Sequence, residues 1–563
     1  MMRVVNAIAE ILKREGVEFL TCYPTTPLIE AAAVAGIRPI VCRQERTGVG
    51  IADGFSRVSA GRRIGVFTMQ SGPGAENAFS GIATAYSDSV PILALPLGYP
   101  RDTAQVFHFF RSSRVYAPVS KWAEEITGAA QTQDVMRRAF TLLRMGRPGP
   151  VLVEIPSDVA MEEIHEKDFN YRPVKSTRAA ASPRDVAEAA RVLVEARSPV
   201  IYAGQGVLYA GASEELVELA ELLQVPVLTT LEGKSAFPED HPLSLGPASS
   251  GMTRPAYHFL RNADVVFALA TSLTRHGITA APVPQGKVLI QCTNDEREIN
   301  KHYTVDYPLF GDAKLVLSQF VEAVKDLIGD KRKSAGGGVA GQIKEIKEAW
   351  LAQWMPKLTS NEVPINPYRV IWEFIRAVDP KKTIVTHDSG SARNQLVPFY
   401  PATAPGGYIG WGKSHALGAG LGLIMGAKLA APDKFCVNFM GDGAFGMVGL
   451  DFETAVRCNI PILTIVCNNF SMAVETHSMA KSHELFRTRD ATGNYAEIGR
   501  ALGGYAERIE RPEEIAPAIG RAKKANENGQ AALLEFITSE EISYSNLGAM
   551  EGSSHSGPDW ARR

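Results

Sequence analysis

Cysteine is scarce in this chain, with six among 563 residues. They are Cys22, Cys42, Cys292, Cys436, Cys458 and Cys467; none forms a CxxC pair, and no histidine lies at zinc-finger spacing. That argues against a disulfide scaffold or a zinc ribbon and predicts a reduced, intracellular protein with inert thiols. An excess of one charge is also missing: 59 Lys+Arg face 61 Asp+Glu, for a formal net charge of −2. No global footprint for nucleic acid or an anionic membrane follows from such a balance. Long apolar runs are absent too. The longest, residues 416–427, is rich in glycine and falls well short of the about 20 residues a membrane span requires. The N-terminal segment reads as an amphipathic helix with Val5, Ile8, Ile11 and Leu12 on one face, interrupted by Glu10 and Lys13, unlike a signal peptide. A cytoplasmic protein with no membrane or nucleic-acid partner is expected.

What the chain does have is ordinary globular composition, 45% hydrophobic and 21% charged, and enough length for three or four domains. Its 50 glycines exceed average usage of about 7%. Apolar, strand-like runs alternate with helical patterns, which predicts α/β architecture with parallel sheets. FLTCY, IRPIVC, IGVFTM, VPILAL and PVLVEI form a first block. PVIYAG, PVLTTL, VVFALA and KVLIQC form a second, and TIVTHD, CVNFMG, PILTIVCNN and AALLEFIT a third. The charged, Gly-rich stretch 329–342 reads as linker, with the helix IKEIKEAWLAQW after it.

The most informative segment runs from Gly441 to Asn469. A strand ends in Gly-Asp-Gly, a helix follows, and the next strand ends in Asn-Asn. Both polar clusters therefore fall at carboxyl ends of parallel strands, the edge where open α/β sheets bind ligands. Asp442 and Asn469 are hard oxygen donors suited to Mg²⁺ or Ca²⁺. The glycines allow backbone N–H groups to approach a phosphate. The competing reading is a pair of tight turns with an Asp cap.

GDG…NN at this spacing resembles the cofactor-anchoring motif of the thiamine-diphosphate-dependent enzymes, and the resemblance covers residues 3 to 540. It is closest to the acetolactate synthase, 2-hydroxyacyl-CoA lyase and oxalyl-CoA decarboxylase branch. RQERTGVGIADGFSR and SGPGAENAFSGIATAYSDSVPILAL match two further family segments. The resemblance implies three doubly wound α/β domains. Residues 1–165 would bind the pyrimidine, 185–330 would form a central nucleotide-binding-like domain, and 365–540 would bind the diphosphate. Residues 331–364 would be linker, and 541–563 a tail and candidate lid.

Carried onto this chain, the resemblance implies that Asp442, Asn469 and the Ser471 carbonyl hold Mg²⁺. Gly441, Gly443, Ala444, Asn469 and Ser391 would approach the diphosphate, and Leu417 would prop the bent cofactor, with ordinary helix packing as the alternative for Leu417. Glu45 matches the cofactor-activating glutamate. Buried against an aminopyrimidine, its pKa would rise, and it would share a proton with the ring nitrogen. Three departures touch the acceptor pocket. Gln44 replaces the usual histidine, Thr25-Thr26 replaces Gly-Gly, and Phe107-His108-Phe109-Phe110 replaces Phe-Gln-Glu. His108 is a candidate acid/base, with a packed histidine as the alternative. Glu475, six residues beyond Asn469, is a candidate for moving the substrate hydroxyl proton, a contribution worth roughly 10²–10⁴-fold, with a solvated helix face as the alternative. Thr25, Phe109, Phe110 and Val474 would restrict the pocket.

In the central block, Gly206, Arg275, Asn294 and Asp295 are candidates for holding the ADP part of CoA, favoured there over FAD. Arg275 and Lys234 are each better read as solvated surface than as phosphate partners. The leading expectation is a thiamine-diphosphate- and Mg²⁺-dependent lyase that cleaves a short 2-hydroxyacyl-CoA to formyl-CoA and an aldehyde or ketone. The first alternative is an acetolactate synthase-like carboligase or 2-oxoacid decarboxylase. The second is a non-catalytic regulatory or scaffold relative. The resemblance also implies a homodimer or homotetramer with active sites between subunits.

Overall fold

A computed structural model of the chain describes residues 1–104, 108–329 and 338–551. Three six-stranded parallel sheets organise it. The first contains, in spatial order, Arg38–Val41, Phe19–Cys22, Gly65–Met69, Ile92–Gly98, Val151–Pro156 and Trp122–Glu125. The second runs Ser244–Pro247, Val227–Thr229, Val200–Ala203, Val265–Leu269, Val288–Thr293 and Tyr307–Phe310. The third runs Tyr408–Ile409, Thr383–His387, Phe435–Gly441, Leu463–Asn468, Ala532–Ile537 and Tyr505–Ile509. Counted along each block, the first and third share the order 2-1-3-4-6-5, whereas the second has the dinucleotide-binding order 3-2-1-4-5-6.

Every interior strand coincides with a predicted apolar run. Five of the six edge strands were not expected: Trp122–Glu125, Ser244–Pro247, Tyr307–Phe310, Tyr408–Ile409 and Tyr505–Ile509. Interior strands of a parallel sheet are buried on both faces and read as continuous hydrophobic stretches. Edge strands such as WAEE and YAERI carry charge and are short, so their signal is weak.

Two differences appear outside the sheets. The stretch read as linker is partly helical, because the helix Gly338–Leu358 begins inside it. The C-terminal segment is packed down as far as it is described: the Ser545 hydroxyl donates to the Met252 carbonyl (2.6 Å) and accepts from Trp350 Nε1 (3.1 Å). The rest of the predicted tail, residues 552–563, lies outside the described residues. Among the described residues, no helix is long and apolar enough to cross a membrane.

The first and third sheets meet through two helices, Glu45–Val58 and Ala419–Ala430. Each follows the second strand of its own block. Their backbones touch: a Cβ on Gly54 would sit 2.0 Å from the Leu423 carbonyl oxygen, and one on Gly426 2.1 Å from that of Ile51. Only glycine permits this approach. Part of the glycine excess therefore serves helix contact between domains.

Candidate active site

The third sheet builds most of the site from its strand ends. Strand Phe435–Gly441 delivers Asp442, the first residue of the helix Asp442–Val448. Strand Leu463–Asn468 delivers Asn468 and Asn469. Each asparagine turns the chain in the same way. Asn468 Oδ1 accepts the Phe470 N–H (3.0 Å), and Asn469 Oδ1 accepts the Ser471 N–H (3.0 Å), two successive Asx turns. Phe470 sits between them at φ 55°. The Ser471 N–H also reaches Asp442 Oδ2 (3.2 Å), and Gly443 N–H donates to Asp442 Oδ1 (2.7 Å). Asp442, Asn469 and Ser471 are thus gathered at one place. Burial raises the Asp442 pKa above the ordinary range, against the pull of those N–H donors.

Around this turn the backbone is open. A Cβ on Gly390, Gly441 or Gly443 would meet nothing within 4 Å. Ala444 is buried behind them. Ser391 heads the next strand end, its hydroxyl hydrogen-bonded to the Tyr544 hydroxyl (2.8 Å). Leu417 is half-buried against the third-sheet core. Its loop is held by a residue that motif reading missed. Asp388, fully buried, accepts the N–H groups of Ser389, Gly418 and Gly420 at 2.8–2.9 Å. Burial still lifts its pKa to about 6. The same strand-end logic that picked out Asp442 applies to Asp388, which directly follows Thr383–His387.

Glu45 begins its helix at the end of Arg38–Val41 and is 3% exposed. A Cβ on Gly74, in the SGPG turn, would lie 3.4 Å from Glu45 Oε1. Burial raises the Glu45 pKa, and the negative charge of Asp451 adds to the effect while a hydrogen bond from Asn77 opposes it. Neighbouring residues tie this end of the first domain to the third within one chain. The Arg43 N–H donates to Asp451 Oδ1 (2.8 Å), and Gln44 Nε2 to the Met447 carbonyl (3.3 Å).

The remaining candidates are more scattered. Thr25 is exposed at φ 87°, a glycine-like backbone for a β-branched residue. Phe109 stacks on Tyr99 (4.2 Å between centroids, 10° between planes), and the exposed His108 meets Phe109 edge-on. Phe110 packs edge-on to Tyr116, and Phe107 lies outside the described residues. Tyr99 was not anticipated, although it follows the fourth strand of the first sheet as Asn469 follows that of the third. Val474 and Glu475 belong to the short turn Ala473–Glu475, with Val474 exposed. The Glu475 carboxylate accepts from the Ser478 hydroxyl (2.5 Å).

In the central domain, Gly206 and Asn294 line a cavity of about 490 Å³ at the strand ends, together with Thr271, Ser272 and Lys413. Arg275 and Asp295 are not in its lining. Arg275 is exposed over the Tyr303 ring (4.7 Å), and Asp295 is paired with Arg297 (2.8 Å). The surface reading of Lys234 is corrected: it is fully buried, and its Nζ donates to both Glu239 oxygens at 2.6 Å.

Comparison with known proteins accounts for this layout. Residues 2–119 match "Thiamine pyrophosphate enzyme, N-terminal TPP binding domain", 186–320 the central domain of the same enzymes, and 388–536 their C-terminal TPP binding domain. The probable acetolactate synthase large subunit of Methanococcus aeolicus is 30% identical over 553 residues, covering 93% of this chain and 91% of the relative. The chain belongs to the thiamine pyrophosphate enzyme family. Two further similar members are the acetolactate synthase isozyme 3 large subunit of Escherichia coli K12 (28% identical; 95% of this chain and 94% of the relative) and the glyoxylate carboligase of E. coli O157:H7 (27%; 97% and 95%).

A thiamine pyrophosphate enzyme needs a place for a diphosphate and its metal, and the residues present fit both. The donor set at Asp442, Asn469 and Ser471 is all oxygen, as a hard divalent cation requires. Open glycine backbone at two strand ends, Gly390 after one and Gly441 and Gly443 at the other, leaves room for phosphate oxygens. Among the described residues, no group of three or more His, Cys, Asp or Glu could hold a metal instead.

Proposed function

We propose that this thiamine pyrophosphate enzyme is a carboligase or decarboxylase that makes or breaks a carbon–carbon bond beside the carbonyl of a small 2-oxoacid. The observation that carries this reading is full-length similarity to proteins named acetolactate synthase and glyoxylate carboligase, in a chain that keeps a buried Glu45 and the Asp442–Asn469–Ser471 turn. When bound, thiamine pyrophosphate supplies the nucleophilic carbon and the electron sink. Asp442, Asn469 and the Ser471 carbonyl would hold Mg²⁺ with the diphosphate, beside Gly441, Gly443 and Ser391. Leu417 would set the cofactor's bend. Glu45 would keep a proton on its carboxyl at a pH where an exposed glutamate has lost it and exchange that proton with the facing ring nitrogen. His108, Phe109, Phe110, Thr25 and Val474 would bound the acceptor side.

The test is turnover of pyruvate and of glyoxylate with thiamine pyrophosphate and Mg²⁺, read as CO₂ release and a condensed product. Cofactor-dependent consumption of either acid supports the reading; inertness toward both overturns it.

A second reading, cleavage of a short 2-hydroxyacyl-CoA, draws on two features. Glu475 stands on the turn after Asn469, where it could take and return the substrate hydroxyl proton, and the cavity lined by Gly206 and Asn294 could take the ADP part of CoA. Release of formyl-CoA from such a substrate, with pyruvate untouched, would select it. A homodimer or homotetramer is part of the proposal, and exposed apolar side chains at Met447, Leu450, Met472 and Val474 are consistent with a covering second copy. Sedimentation as a monomer would remove that part.

A further inference from the structure

We infer that Arg489 is a positioning residue for the metal turn, an inference that rests on the cofactor-binding part of the proposed function and names the side chain that holds its geometry. Arg489 is only 7% exposed. Its Nη1 lies 3.0 Å from the Ser471 hydroxyl, 3.0 Å from the Thr476 hydroxyl and 3.1 Å from Glu540 Oε2. One guanidinium thus reaches the last residue of the metal turn, the residue after Glu475, and the segment following the final strand of the third sheet.

The backbone joins the same places. Ser471 and Asp490 form an isolated antiparallel bridge. The Met472 N–H donates to the Arg489 carbonyl (2.9 Å), and the Ala491 N–H to that of Phe470 (2.8 Å). Residues 470 and 491 therefore close a neck, and everything between them hangs from it, including the Ala473–Glu475 turn. Arg489 spans that neck from the inside.

The chemistry explains why an arginine suits this place. Ser471 would offer its carbonyl to the metal, so its side chain and N–H are free to orient the turn. The N–H is taken by Asp442 and Asn469, and the hydroxyl by Arg489. All three acceptors meet one terminal nitrogen, Nη1, while Nε makes no hydrogen bond to a described residue; what an arginine offers here is a permanently charged donor. Charge placement matters as well. The guanidinium lies near oxygens that would take a divalent cation, and its pairing with Glu540 offsets the positive charge it brings there. Outer-shell partners of this kind typically contribute 10–100-fold to metal affinity.

The experiment compares wild type, Arg489→Met, Arg489→Lys and Thr476→Val. It measures by calorimetry the Mg²⁺ concentration that half-saturates thiamine pyrophosphate binding, then kcat and KM at saturating Mg²⁺. Arg489→Met is expected to raise the Mg²⁺ requirement about 10–100-fold and to lower kcat more than it changes substrate KM, with Arg489→Lys recovering part of the loss. Thr476→Val removes one acceptor of Arg489 together with the hydroxyl's bond to the Ala473 carbonyl (2.6 Å), is expected to fold, and should raise the Mg²⁺ requirement less than Arg489→Met does; it decides the matter if Arg489→Met proves unfolded by circular dichroism. A folded Arg489→Met, or failing that a Thr476→Val, with the wild-type Mg²⁺ requirement overturns the inference while leaving the proposed function standing. Wild type that takes up no cofactor with Mg²⁺ overturns both.

Discussion

The first and third domains have the same strand order, 2-1-3-4-6-5, yet corresponding strand ends carry different chemistry. After the second strand, the first domain places Glu45 on a helix start, and the third places the Leu417 loop before its equivalent helix. After the third strand, the first has the SGPG turn and the third has Gly-Asp-Gly. After the fourth, the first has Tyr99 and the third has Asn469. One scaffold thus presents a buried carboxyl and an aromatic wall; the other presents oxygen donors and open backbone. The fold supplies positions, while residue type at each strand end assigns the work. The two equivalent helices pack face to face through Gly54 and Gly426, which brings the two sets of strand ends into one molecule.

Substitutions at these strand ends separate the work of the two domains. Glu45→Gln should lower turnover by about 10²–10⁴-fold, the worth of a positioned acid–base group, measured as initial rate at saturating cofactor. Asp442→Ala should instead raise the cofactor and Mg²⁺ concentrations needed for activity by at least about 100-fold, judged against the 10–100-fold typical of outer-shell losses. Gly54→Ala forces a methyl group into the Leu423 carbonyl; overpacking of this kind costs about 1–3 kcal/mol, and a denaturant midpoint shift would report it. Thr25→Gly should stabilise by about 1 kcal/mol, because φ 87° is unfavourable for a β-branched side chain. The smallest effect concerns pH. Glu45 has a raised folded pKa, so its stabilising contribution is present at low pH and is lost as pH rises through that value. Glu45→Gln should therefore raise the Tm of the cofactor-free protein at pH 8 more than at pH 5. An equal shift at both would contradict the burial argument.

Much of this was legible in the residues. Interior strands stand out as apolar runs, and GDG with NN marks the ends of two adjacent strands. Glu45 was legible through the surrounding segment, since an acid at a helix start is ordinarily only a dipole partner. What escaped had weak or non-local signals. Edge strands such as SLGP and YI are too short and mixed to stand out. Lys234 looked like surface because nothing in LEGKSAF announces that Glu239 will meet it inside the protein. Arg489 lies 18 residues from Ser471, and no periodicity links them. Pairings of that kind arise from tertiary closure, which local pattern does not encode.

On the proposed function, anchoring of the cofactor belongs to the third domain and its activation to the first. The most direct test is a calorimetric titration of thiamine pyrophosphate with Mg²⁺ into wild type, Glu45→Gln and Asp442→Ala. Glu45→Gln is expected to bind the cofactor within about 10-fold of wild type, while Asp442→Ala loses at least about 100-fold. Undiminished binding by Asp442→Ala, or abolished binding by a folded Glu45→Gln, would contradict that assignment.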